Sequence, residues 1–194
     1  MKRLIRVGLF ILGVHLPALV HAVGAPTSAI RNSVEIVQDI LSDDSLDDKT
    51  QRHMVMELVN KQFDFPAMSR RILATHWKTA KNSQRDRFIA LFSQILGNTY
   101  WHRIRDYQGE KLEYVGENFQ NNTTARVHTV IITGTHNTLI DYSLHKVADE
   151  WRTYDVLIEG VSLVRNYRAT YQQIIKLEGM DGLLEQMAQK LKNN

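Results

Sequence analysis

Apolar positions along the chain follow three regimes. From Val7 to Val20 they run almost without interruption, broken by His15 and Pro17. From Ile30 to Ile104 they recur every three or four residues, the spacing of one helical face. From Lys111 to Ile158 they alternate, and after Ser162 the helical spacing returns. The first periodic stretch places Ile30, Val34, Val37 and Leu41 on one face and stops at Ser42-Asp43-Asp44. Asp47 or Asp48 caps a second helix carrying Met54, Leu58 and Val59. Asp64 caps a third, with Pro66 in its first turn and Met68, Ile72 and Leu73 buried. Ser83 with Asp86 three residues on reads as a capping-box variant. Behind it Phe88, Leu91, Phe92, Ile95, Leu96, Tyr100 and Ile104 form a wide stripe that predicts the central packing helix. Gly97 inside that helix marks a kink or a close contact.

The alternating segment resolves into four strands. Lys111 to Phe119 is the first, and Asn121-Asn122 supplies turn chemistry. Thr124 to Thr133 is the second, rich in Thr, Val and Ile. Leu139 to Val147 follows a loop at Gly134–Asn137, and Trp151 to Ile158 is the fourth. Short links favour an antiparallel meander. Tyr154, Val156 and Ile158 are expected on one face, with Thr153, Asp155 and Glu159 opposite. Ser162 then caps a helix that breaks at Glu178-Gly179 before a final helix through Leu183, Leu184, Met187 and Leu191. Helices, then a meander, then helices predict an α+β fold: a four-stranded antiparallel sheet wrapped by about six helices.

The opening apolar run changes the reading of the charge. Lys2, Arg3 and Arg6 precede it, and Val20-His21-Ala22 places small residues where a signal peptidase cuts. Residues 1–22 are read as a cleaved signal peptide, with cleavage near Ala25 or an uncleaved anchor as alternatives. The chain has 24 Lys and Arg against 21 Asp and Glu. Those three N-terminal cations account for the whole excess. Residues 23–194, read as one domain, are neutral, which argues against a nucleic-acid footprint and a polybasic membrane anchor. Cysteine is absent, so neither a lipoprotein anchor nor disulfides are available and an ordinary core must carry stability.

Catalytic patterns are sparse. His53, His76, His102, His128, His136 and His145 form no close metal-ligand spacing. There is no G-x-S-x-G elbow and no Gly-rich phosphate loop. The acidic run Asp43–Asp48 lacks the Gly and terminal Glu of an EF-hand loop. Asp155 reads either as a general acid or base, if buried, or as a strand residue in a salt bridge. The informative set is apolar: Phe88, Phe92, Ile95, Tyr100, Tyr142, Tyr154, Val156, Ile158, Val161, Val164, Tyr167 and Tyr171. Periodicity leaves two readings of it open, a filled core and a ligand cavity under a curved sheet.

Three motifs bear on that choice. They are Phe63-Asp64-Phe65-Pro66-Ala67-Met68-Ser69-Arg70-Arg71-Ile72-Leu73 with His76-Trp77; Gln84-Arg85-Asp86-Arg87-Phe88 with Leu91-Phe92 and Thr99-Tyr100; and Tyr154-Asp155-Val156-Leu157-Ile158-Glu159-Gly160-Val161-Ser162-Leu163-Val164-Arg165-Asn166-Tyr167-Arg168. Together, and in this order, they resemble the MlaC family, also called the toluene-tolerance auxiliary family, from about Ile30 to Leu191. The resemblance implies an NTF2/cystatin-like curved sheet wrapped by helices around an apolar lipid pocket. It implies a periplasmic phospholipid carrier, not an enzyme, with no cofactor beyond its cargo. The implied partners are an inner-membrane MCE-domain subunit of an ABC transporter and an outer-membrane lipoprotein-porin complex, between which lipid moves to maintain outer-membrane asymmetry. Under that reading Phe92, Ile95, Tyr100, Tyr142, Tyr154, Val156, Ile158, Val161, Val164 and Tyr167 contact the lipid, with Tyr100 and Tyr167 at the mouth. Arg165 and Arg168 face a headgroup or a docking partner. Rival readings are an NTF2-like enzyme using Asp155 as base and a periplasmic adaptor or lipoprotein chaperone.

Overall fold

The computed structural model describes residues 25–106, 109–134 and 136–193; the predicted signal segment 1–22 lies outside them. Six helices and five strands follow the expected order: α1 Ala25–Ser42, α2 Asp48–Gln62, α3 Phe65–Leu73, α4 Thr75–Thr79, α5 Asn82–Arg105, β1 Lys111–Asn121, β2 Thr124–Ile132, β3 Asn137–Val147, β4 Glu150–Ile158, β5 Val161–Ser162 and α6 Leu163–Lys192. Local chemistry explains the boundaries. Asp47 accepts from the Thr50 N–H at 2.8 Å and Asp64 from the Ala67 N–H at 2.8 Å, which caps α2 and α3. The start of α5 differs from the expectation at Ser83. Its N-cap is Lys81, whose N–H donates to the Gln84 side chain at 2.9 Å, so the helix begins at Asn82, two residues earlier than a Ser83 cap implies. Gly179 interrupts α6 at φ 74°, ψ −177°, a conformation essentially restricted to glycine.

The sheet is an antiparallel meander in the order β1-β2-β3-β4-β5. The two-residue β5 is the one strand beyond the four expected. It covers part of the outer edge of β4, and Phe63 bridges to Thr153 on the same strand. That edge is thereby shielded from pairing with another chain.

Two packed regions flank α5. On one side α3, α5 and α6 close around an aromatic cluster. Phe88 stacks on Phe92 at 5.9 Å, and Phe65 and Tyr167 meet Phe92 edge-on at 6.1 and 5.1 Å. Phe88, Phe92, Met68, Ile72 and Leu73 are fully buried there. On the other side α1 lies along the sheet, with Ile30 packed among Ala125, Val127, Leu144 and Trp151. Gly97 marks a close contact rather than a kink: a Cβ there would sit 2.5 Å from the Met56 sulfur of α2.

Candidate functional site

A helix turns about 100° per residue, so the wide stripe of α5 is really two faces. Phe88, Phe92 and Ile95 point into the aromatic cluster. Leu96, Gly97, Tyr100, Arg103 and Ile104, centred roughly 120° further round, point at the sheet. Between that second face and the sheet lies a cavity of about 570 Å³, within the range of roughly 300–1,000 Å³ usual for small-molecule sites.

Each wall follows from a local rule. The sheet contributes alternate residues: Leu112 from β1, Ile131 from β2, Thr138, Ile140 and Tyr142 from β3, Val156 and Ile158 from β4. Register places Ile140 beside Ile158 and Tyr142 beside Val156, so these four share one face. Helix α1 gives the stripe Ile30, Val34, Val37 and Leu41, and α2 gives Val55, Met56 and Val59. The few deep polar groups satisfy one another. The Ser33 hydroxyl lies 3.1 Å from Gln62 Oε1, and Gln62 Nε2 donates to the Trp151 carbonyl at 3.3 Å. Among the described lining residues the interior is chiefly hydrocarbon, with the Tyr142 phenol buried in it.

Among the described residues the lining reaches solvent at the sheet end where β1 and β3 begin and β2 and β4 finish, a mouth of the cavity. There Tyr100, Ile104, Leu112, Ile131 and Thr138 are half-exposed and Arg103 is exposed. Arg103 is the one charged side chain among the described lining residues. Its guanidinium carbon stands 5.8 Å from the centre of the Tyr100 ring. Burial pushes the Tyr142 phenol up to about 12, with neighbouring Tyr114 adding to the shift. Burial also raises the Tyr100 phenol, against the opposing pull of Arg103.

Of the ten residues expected to contact a ligand, Tyr100, Tyr142, Val156 and Ile158 line the cavity. Phe92, Ile95 and Val164 are closed into the aromatic core instead. Tyr167 lies between Phe92 and Tyr171, away from the mouth, its phenol raised by burial against a hydrogen bond with Thr99. Tyr154 leaves the expected face because of an irregularity in the β3–β4 ladder. Ser143 pairs with Asp155 while Leu144 pairs with Thr153, so Tyr154 is the extra residue of a bulge. Its ring packs against the Arg71 guanidinium at 4.2 Å and His145 at 5.2 Å. Val161 is 60% exposed, opposite Ile158 on β5, outside the lining. Arg165 is exposed and Arg168 donates from Nε to the Arg71 carbonyl at 2.7 Å, tying α6 to α3; neither reaches the cavity.

Asp155 also has a structural task. Its carboxylate accepts from the Ser162 hydroxyl at 2.6 Å and the Val164 N–H at 3.1 Å, while Ser162 Oγ accepts from the Arg165 N–H at 3.0 Å. Both oxygens fasten the start of α6, outside the cavity. Among the described residues no group of three or more His, Cys, Asp or Glu is placed to hold a metal ion. No described helix is long and apolar enough to cross a membrane.

The walls that sequence reasoning missed are those of α1 and α2. Their apolar faces were legible, but periodicity does not say what a face meets. Leu112, Ile131 and Ile140 were identifiable by sharing the pleat with Tyr142.

Known proteins share this architecture. A protein solved from Ralstonia solanacearum, described as a phospholipid-binding protein in complex with a phospholipid, superposes with a TM-score of 0.72 at 18% identity, covering 86% of this chain and 94% of that one. The intermembrane phospholipid transport system binding protein MlaC of Haemophilus influenzae is 24% identical over 127 residues. That alignment takes in 61% of this chain and spans 58% of the relative's length. The model of the family described as MlaC protein matches residues 31–189, the stretch that builds the cavity, the sheet and the aromatic core together, and the chain belongs to that family.

Proposed function

We propose that this chain is a periplasmic phospholipid carrier that withdraws acyl tails from water into the cavity. The observation that carries the reading is the hydrocarbon interior enclosed by α1, α2, α5 and the inner face of the sheet. Two acyl chains contain on the order of 30 CH₂ groups, so leaving a membrane unassisted costs about 25 kcal/mol. A cavity that buries the tails as well as a bilayer does makes transfer nearly isoenergetic, with no covalent step. Tyr100, Tyr142, Val156 and Ile158 are the tail contacts in this reading. The enzyme alternative loses its base, because Asp155 is committed to α6.

Export by residues 1–22 places the carrier between two membranes. The lipid is exchanged with an inner-membrane MCE-domain subunit of an ABC transporter and with an outer-membrane lipoprotein-porin complex, which maintains outer-membrane lipid asymmetry. Arg165, exposed at the start of α6, is available for docking to such a partner. Native purification followed by solvent extraction and mass spectrometry tests the reading. Diacyl phospholipid near one molecule per chain is the expected result; a folded protein that yields none, purified from cells rich in phospholipid, overturns it.

A further inference from the structure

We infer that Arg103 pairs with the phosphate of the bound lipid, so that the cavity selects phosphate-bearing lipids over uncharged ones with the same tails. This rests on the carrier reading. Among the described lining residues, most of them apolar, the single charge stands at the mouth, on the last turn of α5. A cation near a helix C-terminus is favourable in itself, but His102 and Arg105 already occupy that turn and face elsewhere. Arg105 is neutralised by Asp48 at 3.7 Å and Asp106 at 3.2 Å. Arg103 has no carboxylate partner among the described residues. Tyr100 below it offers a ring face rather than a counter-charge.

The depth of the tails fixes the height of the headgroup. Tails lying against Ile140, Ile158 and Tyr142 leave the glycerol and phosphate among Tyr100, Thr138 and Arg103. A guanidinium suits that position, since its planar fork matches two phosphate oxygens at once. The pair would be partly solvated and therefore modest in strength. Discrimination of roughly threefold to tenfold is expected, shrinking at about 1 M salt.

The test loads the full chain, stripped of lipid, from one neutral detergent with dioleoyl phosphatidic acid or dioleoylglycerol, which differ only in the phosphate. Wild type should retain phosphatidic acid roughly threefold to tenfold better. Arg103→Gln should equalise the two lipids, Arg103→Glu should reverse the order, and Arg105→Gln should behave as wild type. Thermal melts confirm that the exposed substitutions leave folding intact. If Arg103→Gln still prefers phosphatidic acid, or wild type holds both lipids equally, the inference is overturned and the carrier reading stands. If inorganic phosphate binds in an Arg103-dependent way without lipid and fails to compete with phosphatidic acid, the site serves free phosphate and the headgroup assignment falls. If wild type holds neither lipid, the carrier reading fails and takes this inference with it.

Discussion

Ile140→Glu separates the cavity reading from a merely structural role for the sheet. Ile140 stands in β3 between Thr129 of β2 and Ile158 of β4, lining the cavity and half-exposed. In the unloaded protein a glutamate there reaches water through the mouth. Its folding cost is therefore that of an unfavourable strand residue, about 1 kcal/mol. Loading brings hydrocarbon against it. The cheapest response is protonation, which at pH 7 costs about 3–4 kcal/mol for a carboxyl that titrates near pH 4.3. Lost apolar contact adds about 1.5–3 kcal/mol. Retention should fall by roughly a thousandfold or more, while the urea midpoint changes little.

The same arithmetic predicts recovery of much of that loss near pH 4, where about two-thirds of the carboxyls are already neutral. Ile140→Gln should not show that recovery. The readout is phospholipid per folded chain after native purification, at pH 7 and pH 4. A folded Ile140→Glu protein with wild-type lipid content at pH 7 would refute the assignment of tails to this wall. Val156 is a poorer probe although it lines the same cavity. Both side chains touch the aromatic core, but Val156 is buried in it at 6% exposed whereas Ile140 is half-exposed, so Val156→Asp leaves an unpaired buried charge and should unfold the protein.

Three further outcomes follow from local geometry. Asp64→Ala removes the cap of α3 and the acceptor for His145 Nε2 at 2.8 Å; it should cost about 1–2 kcal/mol by urea denaturation, without altering lipid content. Gly179→Ala places a Cβ on a backbone at φ 74°, ψ −177° and should cost about 1–3 kcal/mol or displace the end of α6, seen as a lower denaturation midpoint. Burial holds the Tyr142 phenol up to about 12 against about 10 in the unfolded chain. The folded state then binds that proton more tightly, so the stabilisation is complete below about pH 10 and disappears as pH climbs to about 12. Tyr142→Phe should flatten this alkaline loss, measured by urea midpoints near pH 9 and pH 11.

The sequence made the elements legible because each is written in a local rule. Asp47, Asp64 and Ser162 cap as their chemistry requires, and Gly179 breaks α6 where helical geometry fails. The site was half legible. Tyr142, Val156 and Ile158 follow from strand alternation, but alternation cannot register the bulge that turns Tyr154 away. Phe92 and Ile95 belong to the same apolar stripe as Leu96 and Tyr100, and a stripe does not state that two neighbours divide it. Arg103 carries no pattern at all; only the cavity around it gives it meaning.

That cavity sets a limit on how the protein can exist without cargo. A dry void loses about 24 cal/mol per Å³, so 570 Å³ held empty would cost about 14 kcal/mol. Whole domains are stable by only about 5–15 kcal/mol. The unloaded state must therefore admit water or let a wall settle inward. The aromatic core of α3, α5 and α6 is close-packed and cannot give. Helix α1 is the freer wall. It is anchored at its ends, by Ile30 and the Thr27 contacts with Glu117 at 2.7 and 3.1 Å and by Ile40 and the Gln51 amide donating to the Ile40 and Leu41 carbonyls, while Val34 and Val37 between them are half-exposed, with Ser33 hydrogen-bonded to Gln62. A lipid that binds only the folded state should raise the melting temperature with the logarithm of its affinity. Amide exchange should show where that stability goes: stripping the lipid should accelerate exchange in α1, with α3, α5 and the first part of α6 nearly unchanged. Equal protection of α1 with and without lipid would mean that the cavity keeps its shape by filling with water, and the settling wall would be excluded.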